Sequence, residues 1–416
     1  MGGTPLETSL QSARRLTITK QHLAGSPRSK ATPRAIVSTV RDVAYIQWDP
    51  VSIVAPSHLI SLWSRVGDLR PATLDRLLWK ERALFLHWTP IASIVLTEDF
   101  PLYHALMRRY PESLSRSWNN QRVAARRFLA THVDLRKQIL RELRNGPLKL
   151  GQFEAHPRTK RNDGDWNPGS DVSLMLYHLL MSGQVMVVGH EGNQNLWGLA
   201  ESFLPSDVDP TELSEAEFER AAAQRALRAL GTATPREITF HFPRGRYNNL
   251  RATLSSLEDE SLIHRVTVEG LRDREERYVH DRDVRSLESM STSAWQPRTS
   301  LLPPFDNLLG STEQVDRLFG FHYIREQFLP KEKRRYGTYV LPVLSGERFV
   351  GRIDPRLDKT TGTLVIQAVH AEPGARDDPT VAEEVARAVD RLGAFLGASG
   401  VTYSSRVPPK WKRAFR

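Results

Sequence analysis

There is no cysteine anywhere in the 416 residues of the chain. That excludes disulfides, thiolate nucleophiles, thiolate zinc sites and cysteine-held iron–sulfur clusters. Long apolar runs are missing too, since none approaches the roughly 20 residues that a membrane span requires. The stretch from Met1 to Arg15 has no apolar core of a secretory signal. The 13 histidines are scattered without ligand spacing, so neither a metal site nor a cofactor is expected. There is no phosphate-binding glycine loop and no His-Glu-x-x-His helix. What stands in excess is positive charge: 58 Lys and Arg against 48 Asp and Glu, a net +10. That balance suits a polyanionic partner. A composition of 40% hydrophobic and 25% charged residues reads as a soluble, globular protein, and the missing cysteines fit a reducing cytoplasm. Its length allows about two to four folding units.

Three segments share one plan, helices followed by a short β-hairpin. In the first, apolar spacing predicts helices over 12–23 and 35–44, then shorter ones over 57–64 and 72–80, with Pro71 at a first helical position. In the second, a helix over 132–144 stops at Asn145-Gly146-Pro147. A polar loop follows over 157–170, and Asp171 then caps an apolar helix over 172–181. Strands over 185–189 and 195–200 flank the turn Glu191-Gly192-Asn193. In the third, a helix over 215–230 ends at Gly231, and Thr234-Pro235-Arg236-Glu237 reads as a capped helix start. Another helix is expected over 246–258, and strands over 263–268 and 277–280.

Helices followed by a hairpin is the order of a winged helix; a generic α+β unit without a DNA role fits the spacing equally well. Beyond these segments, strands over 336–343, 347–353 and 363–370, a helix over 381–396 and a last strand over 401–404 predict a different region. The expected fold is therefore α+β: tandem winged-helix motifs over 1–130, 131–210 and 211–295, then a small antiparallel β-sheet or barrel region over 296–416.

The stretch Tyr45-Ile46-Gln47-Trp48-Asp49-Pro50-Val51 carries the chemistry. A residue before proline favours extended backbone, and in extended backbone residues i and i+2 share a face. Gln47 and Asp49 then stand together, with Trp48 anchored opposite. A carboxamide beside a carboxylate can hold one water molecule and stabilise a nearby positive charge. Alternatively, Asp49 simply caps the turn before the next helix.

The run from Gln47 to His58 resembles the Gln-apolar-Asp segment of the YcaQ/AlkZ family of winged-helix DNA glycosylases. Two more blocks are similar to that family in order and spacing: Leu302-Pro303-Pro304-Phe305-Asp306-Asn307-Leu308-Leu309 with Leu318-Phe319-Gly320-Phe321, and Lys331 to Gly337 through Val350 to Pro355. The resemblance covers about residues 10–370. It implies an enzyme that hydrolyses the N-glycosidic bond of N7-alkylated purines, crosslinks included, and places the chain in the Gln-Asp branch, the broader repair type. Two positions depart from the pattern. Trp48 is bulkier than the usual middle residue, and Pro90 stands where the family often has His, with His87 nearby but expected to face elsewhere.

An N7-alkylated purine is already cationic and leaves without a general acid, unlike the paired carboxyls of glycoside hydrolysis. Asp49 would stabilise the cationic sugar and activate water, and Gln47 would position that water. No lysine lies near the motif for a Schiff base, so a monofunctional hydrolase is expected.

Double-stranded DNA is the expected partner of a monomeric, nucleoid-associated protein. Candidate DNA contacts are His58; His156, Arg158, Lys160 and Arg161 in the polar loop; Arg244 and Arg246 around Gly245; and Lys331, Lys333, Arg334 and Arg335. The C-terminal Arg406, Lys410, Lys412, Arg413 and Arg416 add charge. A non-catalytic winged-helix regulator and a glycosylase that has lost activity remain as alternatives, because fold does not fix function.

Overall fold

The structure, a computed structural model, describes residues 4–26, 31–49, 51–88, 91–153, 170–192, 194–271, 276–291 and 294–415. Within it the order helix–strand–helix–helix–strand–strand occurs three times. The first unit comprises Pro33–Val43, Ile46–Gln47, Ser57–Val66, Pro71–Asp75 (continued by a π-helical turn, Arg76–Lys80), Leu84–Trp88 and Ala92–Leu96. The second comprises Val133–Leu143, Leu148–Lys149, a single 3-10 turn Leu150–Gln152, Asp171–Met181, Val185–Glu191 and Gln194–Leu199. The third comprises Glu215–Leu230, Thr232–Ala233, Pro235–His241, Leu250–Asp259, Ile263–Glu269 and Tyr278–His280. In every unit the last strand lies between the other two.

Local chemistry accounts for these elements. Thr32 caps the 33–43 helix by accepting the Ala35 N–H at 3.2 Å, and Pro33 fills its first turn. Ile36, Val40 and Val43 then repeat along one face and are fully buried. Ser214 with Glu217, and Thr234 with Glu237, form complete capping boxes. Gly231, at φ +79°, ends the 215–230 helix in a backbone conformation that side chains disfavour.

Two expected helix starts move. Ser170, rather than Asp171, caps the 171–181 helix by accepting the Ser173 N–H at 3.3 Å. The helix expected from residue 246 begins at Leu250, capped by Asn249. Arg244 at φ +47° and Gly245 at φ +76° both hold left-handed backbone, which no right-handed helix accommodates.

The N-terminus joins the third unit. Leu6–Ser9 pairs in parallel with Ile263–Glu269, and from the following helix, Leu10–Lys20, Ala13 and Leu16 pack on Val266, Val279 and Leu287. Ile18 and Leu23 continue onto Leu302 and Leu309.

The C-terminal region is a five-stranded sheet of Thr299–Leu301, Leu341–Ser345, Arg348–Asp358, Thr363–Ala371 and Gly400–Tyr403, adjacent in chain order. The last strand adds in parallel rather than antiparallel, because the helix Pro379–Phe395 crosses over before it. Val381, Val385, Val389 and Leu392 of that helix cover the sheet. The α+β class expected from the sequence holds, with helical units and small sheets followed by a β-rich region. Among the described residues, no helix is long and apolar enough to cross a membrane.

Candidate active site

Gln47 sits on the first strand of the first unit, opposite Ser93, and Ile46 stands opposite Ile94. The Trp48 N–H continues this ladder to the Ala92 carbonyl at 2.7 Å, so the backbone is extended through the motif. Ile46 and Trp48 pack into the core of the unit, which leaves Gln47 on the other face. The Trp48 ring stacks on His58 at 4.1 Å and meets Trp79 edge-on at 6.5 Å.

Asp49 is only 8% exposed. One carboxylate oxygen accepts the Val51 N–H at 3.1 Å, which is the turn-capping role anticipated as the alternative. The other oxygen is buried without a partner. Burial pushes this carboxyl above the ordinary carboxylate range, and the Val51 N–H opposes it. Tyr339 lies close enough to interact with it electrostatically. His58 places Nδ1 at 3.2 Å from the Asp49 carbonyl, and burial lowers its pKa to about 4, so it stays neutral.

The second sequence block holds the motif in place. Asp306 forms a fully buried bidentate pair with Arg65, at 2.6 and 2.8 Å. It also accepts the Ser61 hydroxyl at 3.2 Å and caps the Leu308 N–H at 3.0 Å. The amide of Asn307 donates to the carbonyls of Tyr45 at 2.6 Å and Val43 at 3.3 Å. Between them Ala44 sits at φ +75°, a costly conformation for a residue with a Cβ. His241, kept neutral by burial with a pKa of about 4, donates from Nε2 to the same Val43 carbonyl at 3.3 Å.

The third block closes from the sheet. The Leu357 N–H donates to the Ile53 carbonyl at 3.4 Å, tying the loop after Asp49 to the long strand 348–358. Gly337 is required where Asp354 passes, because a Cβ there would lie 2.1 Å from the carboxylate. Sequence blocks far apart in the chain therefore meet around one two-residue strand.

Gln47 opens into a cleft of about 160 Å³, walled by Phe240, Arg244, Phe305, Arg325 and Phe328. Asp49 does not line it. The Arg244 guanidinium lies 4.2 Å over the Phe240 ring, and Arg325 lies 5.7 Å from the Phe305 ring. None of the cleft's phenylalanines carried a signal in the sequence beyond Phe305, which belongs to the second block.

The expected DNA contacts divide. His58 and Arg246 are buried, which corrects their assignment as phosphate contacts. His58 is covered by Trp48, and Arg246 lies beside Tyr110 and Tyr177, where desolvation lowers its pKa to about 10. Arg334 turns inward to the Leu329 carbonyl at 2.9 Å and the Thr338 hydroxyl at 3.1 Å. Lys331 stays exposed. Lys333 and Arg335 are exposed too, and with Arg376 and Arg406 they line a second, larger cleft of about 1230 Å³. His156, Arg158, Lys160, Arg161 and Pro90 lie outside the described residues, as does Asn193 of the second hairpin turn. His87 shares the register of Ser93 and Gln47, hence their face of the sheet, contrary to expectation. It is buried against Tyr103 and held neutral, with a pKa near 3.

A family model described as DNA glycosylase AlkZ-like matches residues 40–395. Among solved structures, the chain is similar to the Streptomyces sahachiroi DNA glycosylase AlkZ, at 17% identity and a TM-score of 0.64, over 96% of this chain and 100% of that one. At that identity the likeness shows the fold.

Proposed function

The chain belongs to the AlkZ-like DNA glycosylase family, and on that premise we propose that it releases N7-alkylated purines from duplex DNA, crosslinked ones included, by hydrolysis at Gln47 and Asp49. The observation that carries this reading is the state of Asp49: a buried carboxylate with one oxygen committed to a turn and the other without a partner, one residue removed from an amide that opens into a cleft. A buried charge left unpaired costs stability, and groups kept at that cost cluster at functional sites.

The reaction needs little from the protein. In an N7-alkylated purine the ring is positively charged, so the electron pair of the C1′–N9 bond departs with the base as a neutral molecule. The sugar left behind is an oxocarbenium ion. The free oxygen of Asp49 stabilises that charge, a role best served by a preorganised, dehydrated group. A water held between the Gln47 amide and the carboxylate attacks C1′ and gives its proton to Asp49. The product is an abasic site. Since neither residue is an amine, the reading is of a monofunctional enzyme that does not cut the strand. Lys331, Lys333, Arg335 and Arg244, with Arg158, Lys160 and Arg161, supply phosphate contacts in the same proposal, and the protein acts as a monomer.

The test uses duplex DNA carrying N7-methylguanine, with abasic sites read by alkaline cleavage, and in parallel a duplex crosslinked by a nitrogen mustard. Release of both substrates is expected. Release of neither would overturn the proposal, and release of the monoadduct alone would remove crosslinks from it.

A further inference from the structure

Among the described residues two phenylalanines are exposed, Phe240 at 37% and Phe328 at 71%, and both wall the Gln47 cleft. Water-facing aromatic surface is costly to maintain, and its concentration at one cleft asks for an occupant.

Phe328 is displayed on a rigid turn. It ends the 3-10 turn Glu326–Phe328, whose Phe328 N–H donates to the Arg325 carbonyl at 3.2 Å. The buried carboxylate of Glu326 accepts the N–H groups of Tyr336 at 2.7 Å and Gly337 at 3.1 Å, fixing the turn to the segment that leads into the sheet. Arg325 donates to the carbonyls of Pro304 at 2.8 Å and Leu309 at 3.0 Å, fixing it to the block that holds Tyr45. The Phe328 ring stands 6.2 Å from that of Phe305.

The cleft already shows what its rings hold. Phe240 carries the guanidinium of Arg244, and Phe305 that of Arg325, both planar cations over aromatic faces. Phe328, the most exposed of the three, has no such cation from the described residues. An N7-alkylated purine is a planar, delocalised cation of the same kind, with a larger face.

We propose that Phe328 is a specificity residue: it stacks on the alkylated purine at the mouth of the Gln47 cleft and favours the cationic ring over a neutral one of the same shape. This rests on the reading of that cleft as the lesion site. Arg244 and Arg325 repel a cationic base, so a preference for positive charge comes from the rings or from carboxylates near the cleft, and variants of Phe328 isolate the ring's share.

The experiment compares binding to two duplexes. One carries 2′-fluoro-N7-methyldeoxyguanosine, which resists hydrolysis and keeps the charge; the other carries neutral 7-methyl-7-deazadeoxyguanosine at the same position. The wild type should prefer the charged duplex by about tenfold, the usual size of a partly desolvated cation–π contact. Phe328→Leu, apolar but without a π-face, should lose most of that preference, and Phe328→Trp should keep or raise it. Thermal unfolding should be unchanged in both variants, since the side chain is mostly in solvent. Equal binding of the two duplexes by the wild type, or an undiminished preference in Phe328→Leu, overturns the inference. Release of N7-methylguanine from the hydrolysable duplex is measured alongside. Wild-type release with preference retained in Phe328→Leu removes only this inference. Lost preference in Phe328→Leu with no release by the wild type removes only the hydrolytic reading.

Discussion

Asp49→Asn should make the protein more stable and far less active, and the two effects have one cause. The variant keeps an oxygen for the Val51 N–H, now 3.1 Å from the carboxylate, and replaces the partnerless charged oxygen with a neutral group. A buried polar group without a partner costs about 1–3 kcal/mol. The Asn amide nitrogen would sit in the same partnerless place, so only the cost of the charge is relieved, a gain of about 1 kcal/mol at the lower end of that range. That corresponds to about 2 °C in Tm for a large domain. The gain should depend on pH in a defined direction. Burial raises the folded-state pKa of Asp49 above its ordinary value. The wild type therefore loses stability as pH rises from the unfolded pKa, about 3.9 for Asp, to the folded one, and the variant does not. The two proteins should match in Tm below that window and separate above it. Activity should move the other way, falling by about 100-fold or more at neutral pH with the loss of an oriented charge. The wild-type rate should decline on acidification, as the carboxylate protonates above the ordinary range. The assays are scanning calorimetry across pH and single-turnover release of N7-methylguanine. If Asp49→Asn loses activity and stability together, Asp49 is a turn residue and the mechanism fails; full activity in the variant refutes it outright.

Gln47→Ala should lower the single-turnover rate by about 100-fold, as loss of one positioned polar group does in other hydrolytic sites, while the dissociation constant for lesion DNA stays near the wild-type value. Lys333→Ala and Arg335→Ala should each weaken binding to undamaged duplex and reduce the slope of log K against log salt by about 1; unchanged slopes would place the duplex elsewhere. Arg65→Met should cost about 3–5 kcal/mol in urea unfolding, because it leaves Asp306 charged and buried alone. The double variant Arg65→Met/Asp306→Leu should recover most of that loss, and failure to recover would mean that the pair positions the chain rather than merely satisfying itself.

Much of the fold could be read from local signals. The 215–230 helix, its glycine stop and the Thr234–Glu237 box are matters of adjacent residues, and the structure has them as read. Pairing is another matter. The amphipathic pattern of the first helix shows which face is buried but not against what, and that face lies on strands some 250 residues away in sequence. The two-residue strand Ile46–Gln47 is too short for any periodicity to announce, yet it decides where Gln47 points. Arg246 illustrates the opposite error: a basic residue beside a glycine looks like a surface charge, and only tertiary packing puts it among tyrosines. Phe240 and Phe328 were illegible for the same reason, since each is an ordinary phenylalanine until the fold sets both on one cleft.

On the proposed function, the placement of charge would let a basic protein handle a cationic lesion. No lysine or arginine among the described residues is close enough to shift Asp49, whose pKa is governed by burial and the Val51 N–H alone. A guanidinium at that oxygen would relieve the burial cost, as Arg65 does for Asp306. It would also neutralise the group that must meet an oxocarbenium ion, and it would repel both the ion and the purine before it departs. Cations instead line the second cleft, as Lys333, Arg335, Arg376 and Arg406, and Arg244 stands at the phenylalanine cleft, positions that the proposal gives to phosphates. On the proposed mechanism the net charge of +10 attracts the backbone of any DNA, while the partnerless oxygen of Asp49 and the uncovered ring of Phe328 respond to positive charge at a single nucleotide. Introducing a cation next to Asp49, as in Val51→Lys, where the side chain is exposed and the backbone N–H already meets the carboxylate, should therefore abolish excision while leaving affinity for plain duplex unchanged or higher. Excision that survives beside such a cation would show that the free oxygen of Asp49 is not where the reaction's positive charge develops.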